Sequence, residues 1–211
     1  EAFIWSQTQH PNLHPFFGYR SEPRPRLISP WCRHGNLSDY LRASPGLPRL
    51  DKMILIRQAA CGLEHLHSQT PPISHGDIKP ENVLINDHLE AVLSDFGLGR
   101  VLVGLGVHTG FTTSDTAHGT LRYMAAELFA QGGLRSSLQT DVYAFGGLML
   151  AAMSGKRPFD GLDEPTILLR ILQDKQPRQE DHLELPPSDL LWSLMRRCWS
   201  INRKARPAIQ A

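Results

Sequence analysis

The stretch Ser74-His75-Gly76-Asp77-Ile78-Lys79-Pro80-Glu81-Asn82-Val83-Leu84-Ile85, followed by Ser94-Asp95-Phe96-Gly97, decides the reading of this chain. Asp77 and Asn82 lie five apart on a loop that runs into a short apolar strand. Asp95 stands at the end of the next apolar run, so two neighbouring strands deliver oxygen ligands to one edge. Hard oxygen donors with a lone lysine between them suit Mg²⁺ carrying a polyphosphate. One carboxylate can hold metal while another accepts a hydroxyl proton.

Working outward, Val83 to Ile85 and Ala91 to Leu93 flank the turn signal Asn86-Asp87 and read as a small hairpin. Upstream, Ile54, Ile56, Ala59, Ala60, Leu63 and Leu66 recur at steps of three and four, which predicts a helix over about 51–68. Leu37, Tyr40 and Leu41 share a face of a shorter helix. Leu13 to Tyr19 and Leu27 to Ser29, separated by a polar turn, predict a further hairpin. Residues 95–135 show no sustained period and are rich in Gly, Ser and Thr, as functional loops often are. Helices then resume at about 140–153, with Thr140 as N-cap and Gly155 past the end, at about 165–173 and at about 189–199.

Composition sets outer bounds. The chain has 211 residues, 41% of them hydrophobic and 20% charged, enough for a core of one large domain or two small ones. Its 22 Lys and Arg nearly cancel 21 Asp and Glu, leaving +1 and no broad basic field for nucleic acid. The apolar run Ala144 to Met153 is half what a membrane helix needs. Cys32, Cys61 and Cys198 are too few and scattered for a disulfide framework, and no secretory signal is visible, so a cytoplasmic setting is expected. Both termini read as cut from a longer chain.

The central segment resembles the catalytic loop and metal motif of eukaryotic protein kinases, whose signatures are H-R-D-x-K-x-x-N and D-F-G. The resemblance runs the length of the chain. Glu127 after Ala125-Ala126 resembles the end of the activation segment, and Gly119-Thr120 the substrate-docking loop. Asp141-Val142-Tyr143-Ala144-Phe145-Gly146 resembles the central buried helix. Arg206 would pair with Glu127. Lys79 two positions after Asp77 is similar to the serine/threonine type, and Cys198-Trp199 to the tyrosine-kinase-like group.

The resemblance implies an α+β, protein-kinase-like bilobal fold: residues 1–29 as a remnant N-lobe, 30–35 as hinge and 36–211 as the helical C-lobe. It implies ATP and Mg²⁺ as cofactors and a protein substrate phosphorylated on Ser or Thr. Asp77 would take the hydroxyl proton, Lys79 would steady the transferring phosphoryl group, and Asn82 and Asp95 would ligate Mg²⁺. Thr120 would belong to the substrate loop. Glu1 would be the helix glutamate that pairs with the ATP-binding lysine. Ser29 would be the gatekeeper, Pro30 and Cys32 would face adenine through their backbones, and Leu84 would form the floor under the base. Trp5, Phe16, His75 and Phe96 would stack as a hydrophobic spine.

Three departures from the family pattern stand out. No glycine-rich phosphate loop with its strand lysine occurs within residues 1–211, and Gly104 to Gly110 has the wrong spacing. Gly76 replaces the loop arginine that in the family receives an activating phosphate, which implies a loop ordered without one. Ala126 replaces a proline. The 211 residues alone are therefore expected to transfer phosphate poorly, although the intact protein would be an active kinase. The rival reading is a pseudokinase that binds partners without catalysis.

Side chains with two readings take the structural one: His75 as a satisfied core histidine, Trp192 and Trp199 as packing. Thr109, Thr112, Thr113, Ser114 and Thr116 read as a solvated polar loop. Cys61, His65 and His67 lack the fourth ligand that zinc would need.

Overall fold

In the computed structural model, the described residues are 5, 8–20, 26–96, 117–129 and 136–209. The core forms around a helix buried on all sides, α4 (Leu138–Ser154), in which every residue from Thr140 to Ser154 is buried. A helix apolar all round can only sit inside others. It starts at Ser137, whose hydroxyl accepts from the Thr140 amide while the Thr140 hydroxyl accepts from the Ser137 amide. The cap is thus Ser137, three residues before the expected Thr140. Ser137 holds the extended backbone a cap requires and Thr140 is already helical, closing a reciprocal capping box. Gly155, in the left-handed region at φ 72°, ends the helix as expected.

α2 (Arg49–His67) packs against α4 and against the strand 91–93, burying Leu55, Ile56, Ala59, Gly62, Leu63 and Leu66. Ile54, expected on this face, is 41% exposed, and Leu55 takes its place. One step along a helix rotates a side chain by about 100°, and Ile54 falls just off the stripe. Gly62 is required by close approach: a Cβ there would run into the Asn12 carbonyl. α1 (Leu37–Ala43) begins at Asn36, whose side chain accepts from the Asp39 amide. α5 (Glu164–Leu172) and α6 (Leu191–Cys198) lie near their expected positions. Within 95–135, where no period is evident, residues 117–129 form the one-turn helix α3 (Ala117–Thr120) and the 3₁₀ turns Leu121–Tyr123 and Ala126–Phe129.

The strands form two antiparallel hairpins. β1 (Gly18–Arg20) pairs with β2 (Arg26–Ile28), with Tyr19 opposite Leu27. β3 (Val83–Ile85) pairs with β4 (Ala91–Leu93), with Leu84 opposite Val92. The first hairpin is shorter than expected because Leu13 and His14 serve the second. The His14 amide donates to the Leu93 carbonyl at 2.8 Å and the Leu93 amide to the Asn12 carbonyl at 2.9 Å. On the other side the Ile85 amide reaches the Gly35 carbonyl at 2.9 Å. The β3–β4 hairpin is therefore clamped between the segment before β1 and the segment that leads into α1. Among the described residues, no helix is long and apolar enough to cross a membrane.

Candidate active site

The loop 74–82 lies on the first turn of α4. Asp141, 2% exposed, accepts from the His75 amide at 2.8 Å and from the Gly76 amide at 2.9 Å. His67, at the end of α2, meets the same carboxylate at 2.9 Å. Two successive amides converge on one carboxylate because Gly76 sits at φ 88°, a conformation that costs glycine nothing. A side chain at 76 would also press on the Ser136 hydroxyl, which bonds that of Ser74 at 2.8 Å.

That anchor presents Asp77 to the edge of the β3–β4 hairpin. Asp77 Oδ2 accepts from Asn82 Nδ2 and from Lys79 Nζ, both at 2.8 Å, and Asn82 Nδ2 also holds the Asp77 carbonyl at 2.8 Å. Asp77 Oδ1 is buried and has no hydrogen-bond partner among the described residues. One carboxylate oxygen is pinned by two donors and the other is left to accept. Lys79, 8% exposed, bridges onward to Thr120 Oγ at 2.8 Å. The two loops thus meet through one ammonium group.

Asp95 follows Ser94, whose amide and hydroxyl both donate to the Asn82 carbonyl, at 2.9 and 3.1 Å. The end of β4 is in this way tied to the end of the Asp77 loop. Asp95 itself is exposed, with φ 57°. With its amide nitrogen spent on Asp77, Asn82 keeps its side-chain oxygen as a possible metal ligand beside the Asp77 carboxylate, one strand end away from Asp95. Such an all-oxygen set suits a hard cation that keeps much of its shell for phosphate and water.

Behind the loop the expected spine is in place. Trp5 lies 5.2 Å from Phe16 and 5.8 Å from Phe96, and Phe96 lies 6.2 Å from His75. Burial holds the His75 imidazole below its ordinary pKa, outweighing the pull of Asp141, Asp77 and Asp95. Its Nδ1 accepts from the Asp77 amide at 3.3 Å, but its buried Nε2 has no hydrogen-bond partner among the described residues, so the histidine expected to be satisfied in the core is only half so.

The segment after β2 carries Ser29 and Pro30, both half-buried. The Pro30 carbonyl faces the imidazole of His14 and raises its pKa, though burial lowers it more. Cys32 is buried with its sulfur 3.9 Å from His14 Nδ1, and Leu84 is half-buried beside Asn36 across a β-bridge. Trp31 between them is 86% exposed. Glu1, Gly97, the Gly104 to Gly110 run and the Ser and Thr positions from 109 to 116 lie outside the described residues.

Glu127 and Arg206 pair as expected, through two hydrogen bonds at 2.6 and 3.0 Å, with Arg206 5.2 Å over the Tyr143 ring. His65 stacks on His10 at 4.9 Å and meets Gln69, while His67 serves Asp141, so both histidines weighed for zinc have other partners.

Two contributors were not legible. His67 holds Asp141 from 74 residues away, a contact without a local signature. Arg122 is buried and donates to the carbonyls of Pro158, Phe159 and Leu162, bracing the loop after α4 against the turn that carries Thr120. Burial and the neighbouring Arg157 depress its pKa.

Similarity to known proteins agrees with this geometry. The family model for protein tyrosine and serine/threonine kinase matches residues 1–211. Human receptor-interacting serine/threonine-protein kinase 3 is 34% identical over 195 residues, covering 90% of this chain and 37% of that protein. The probable serine/threonine-protein kinase PBL28 of Arabidopsis thaliana is 34% identical over 232 residues, covering 99% of this chain and 60% of that protein. The chain therefore spans less than two thirds of either relative. On these matches, and with an α+β kinase fold that brings Asp77, Lys79 and Asn82 into direct contact, the chain belongs to the protein tyrosine and serine/threonine kinase family.

Proposed function

We propose that this chain is the catalytic region of a serine/threonine protein kinase, transferring the γ-phosphoryl group of ATP to a protein hydroxyl. The observation that carries the reading is the divided carboxylate of Asp77: Oδ2 is held by Asn82 and Lys79, while Oδ1 is buried and free to accept. A carboxylate fixed in this way can orient a hydroxyl and take its proton.

Lys79, already reaching from Asp77 to Thr120, would place a positive charge where the phosphoryl group passes and join it to the substrate loop. Asn82 and Asp95 would hold Mg²⁺ through oxygen. When bound, that ion neutralises the phosphate charge. Positioning and electrostatics then carry the catalysis. Ser29, Pro30, Cys32 and Leu84 would receive adenine, and Glu1 would pair with the ATP-binding lysine. The glycine-rich clamp is not within residues 1–211, so the reading concerns the protein in which this chain works together with one.

In the full-length protein, Asp77→Ala should lower kcat by about 10²–10⁴-fold, with Mg-ATP binding by calorimetry little changed. If turnover survives while the protein remains folded, the reading is wrong. Mg-ATP binding without any turnover in the unaltered protein would favour a binding module instead.

A further inference from the structure

A cleft lined by cations opens beside the catalytic loop and plays no part in the chemistry above. Its inner part, about 400 Å³, has Pro80 at one end and is walled by Leu41, Ala151 and Met153. Arg42, Lys52, Lys156 and Arg157 also line it, against one carboxylate, Glu184. An adjoining hollow of about 650 Å³ shares Lys52, Met153 and Glu184 and continues to Leu47 and Leu190, the latter 87% exposed. A chain with a net charge of +1 therefore concentrates four cations around one cavity that reaches Pro80, the residue after Lys79 of the Asp77 loop.

These charges are weakly spent. Lys52 makes no ion pair among the described residues. Arg157 lies 3.9 Å from Asp160 without a hydrogen bond, Lys156 lies 3.3 Å from Glu184, and Arg42 uses one nitrogen on Asp39. Solvent-exposed pairs of this kind are worth little and exchange readily for other carboxylates. Apolar walls beneath a basic rim fit an extended segment carrying both carboxylates and an apolar side chain.

We propose that this cleft docks a segment of the protein substrate rich in Asp and Glu, with an apolar anchor between Leu41 and Met153, and so delivers the neighbouring hydroxyl to Asp77. The inference rests on the kinase reading and assigns that site a substrate class.

The test uses the full-length protein and two fluorescein-labelled peptides, one alternating Glu and Leu and one alternating Gln and Leu, followed by anisotropy. The Glu peptide should bind, more weakly as salt rises, and the Gln peptide should bind at least about 10-fold less tightly. The double change Lys156→Glu with Arg157→Glu should weaken the Glu peptide by about 10-fold or more. Lys52→Gln, a milder change on a half-exposed side chain, should weaken it to a smaller degree while the thermal midpoint stays put. Equal binding of both peptides, or undiminished binding by the charge-reversed protein, overturns the proposal. Asp77→Ala should bind the Glu peptide normally, which separates the two readings: persistent turnover in that variant would overturn the catalytic reading, whereas the peptide results decide the docking one.

Discussion

The two regions that bracket the site are built on opposite principles. On one side the loop 74–82 rests on α4, a helix buried over its whole length after the first turn, and a single buried carboxylate, Asp141, gathers two loop amides and a histidine. On the other side the hairpin β1–β2 has three residues to a strand and leaves Phe17 and Tyr19 70% and 68% exposed. Two short strands alone are marginal in water. The groups around Asp77 thus draw their precision from the helical core, while the segment that carries Ser29, Pro30 and Cys32 hangs from a ladder that buries almost nothing. Rigidity is concentrated where proton and phosphoryl positioning would need it.

The strongest way to break this contrast is Asp141→Ala. It would leave two amides of the catalytic loop and the His67 nitrogen without their acceptor inside the core. Removing one member of such a buried network costs about 3–5 kcal/mol, so the urea midpoint should fall sharply and a sizeable unfolded fraction should be present near 37 °C. Asp141→Asn keeps the shape and one acceptor oxygen and should cost less. A loss below about 1 kcal/mol for the alanine variant would show that the loop is held by its own contacts rather than by α4.

What could be read in advance follows the range of the interactions. The β3–β4 hairpin was legible because its turn chemistry and its apolar runs are local. The contact of Asp77 with Asn82, and the tie of Ser94 before Asp95 to the Asn82 carbonyl, were legible because a loop, a strand, a tight turn and a second strand bring those positions to one edge. Leu13 was misplaced for a reason of range: its neighbours in sequence suggest a strand of the first hairpin, but it lies opposite Leu93 in a β-bridge whose hydrogen bonds are made by Asn12 and His14. The cap at Ser137 was missed because Ser137 and Thr140 are each acceptable caps, and only the backbone conformation distinguishes them. His67 and Arg122 act across the fold, on Asp141 and on the carbonyls near Phe159, and no periodicity marks either. The substrate-loop role of Thr120 came from family resemblance alone, whereas its bond to Lys79 is visible only in three dimensions.

A second, smaller effect comes from buried imidazoles, in the helical core and at His14 beside Cys32. His75 and His182 are buried, and burial lowers both below the ordinary 6.5. His182 bonds the Ser154 hydroxyl at 2.9 Å and meets Trp192 edge-on at 6.2 Å, with Asp181, Asp160 and Glu184 pulling its pKa up and Lys156 pushing it down. Near and below pH 6.5 the unfolded chain takes up protons that the folded core refuses, so stability is fully present above that value and is lost as pH falls toward the lowered folded values. The melting midpoint should drop by several degrees between pH 7.5 and 5.5, and His182→Gln should shallow that slope. A flat profile would mean that both imidazoles find compensation on protonation.

The least effect is expected in the hairpin, and it sharpens the contrast more than it threatens it. Tyr19 faces Leu27 across the ladder, and both are exposed. Such a cross-strand pair contributes about 0.2–1 kcal/mol, and an exposed substitution outside a core shifts global stability by about 0.5 kcal/mol or less. Tyr19→Ser should therefore leave the urea midpoint nearly unchanged while speeding amide exchange at residues 18–20 and 26–28 relative to 83–85 and 91–93. The second set is clamped on both sides by the Asn12 and Gly35 carbonyls, so its amides should open only with the core. If Tyr19→Ser instead lowered the global midpoint by as much as a core change, the hairpin would be part of the same cooperative unit as α4. The segment from Ser29 to Cys32 would then owe its placement to the helical core after all.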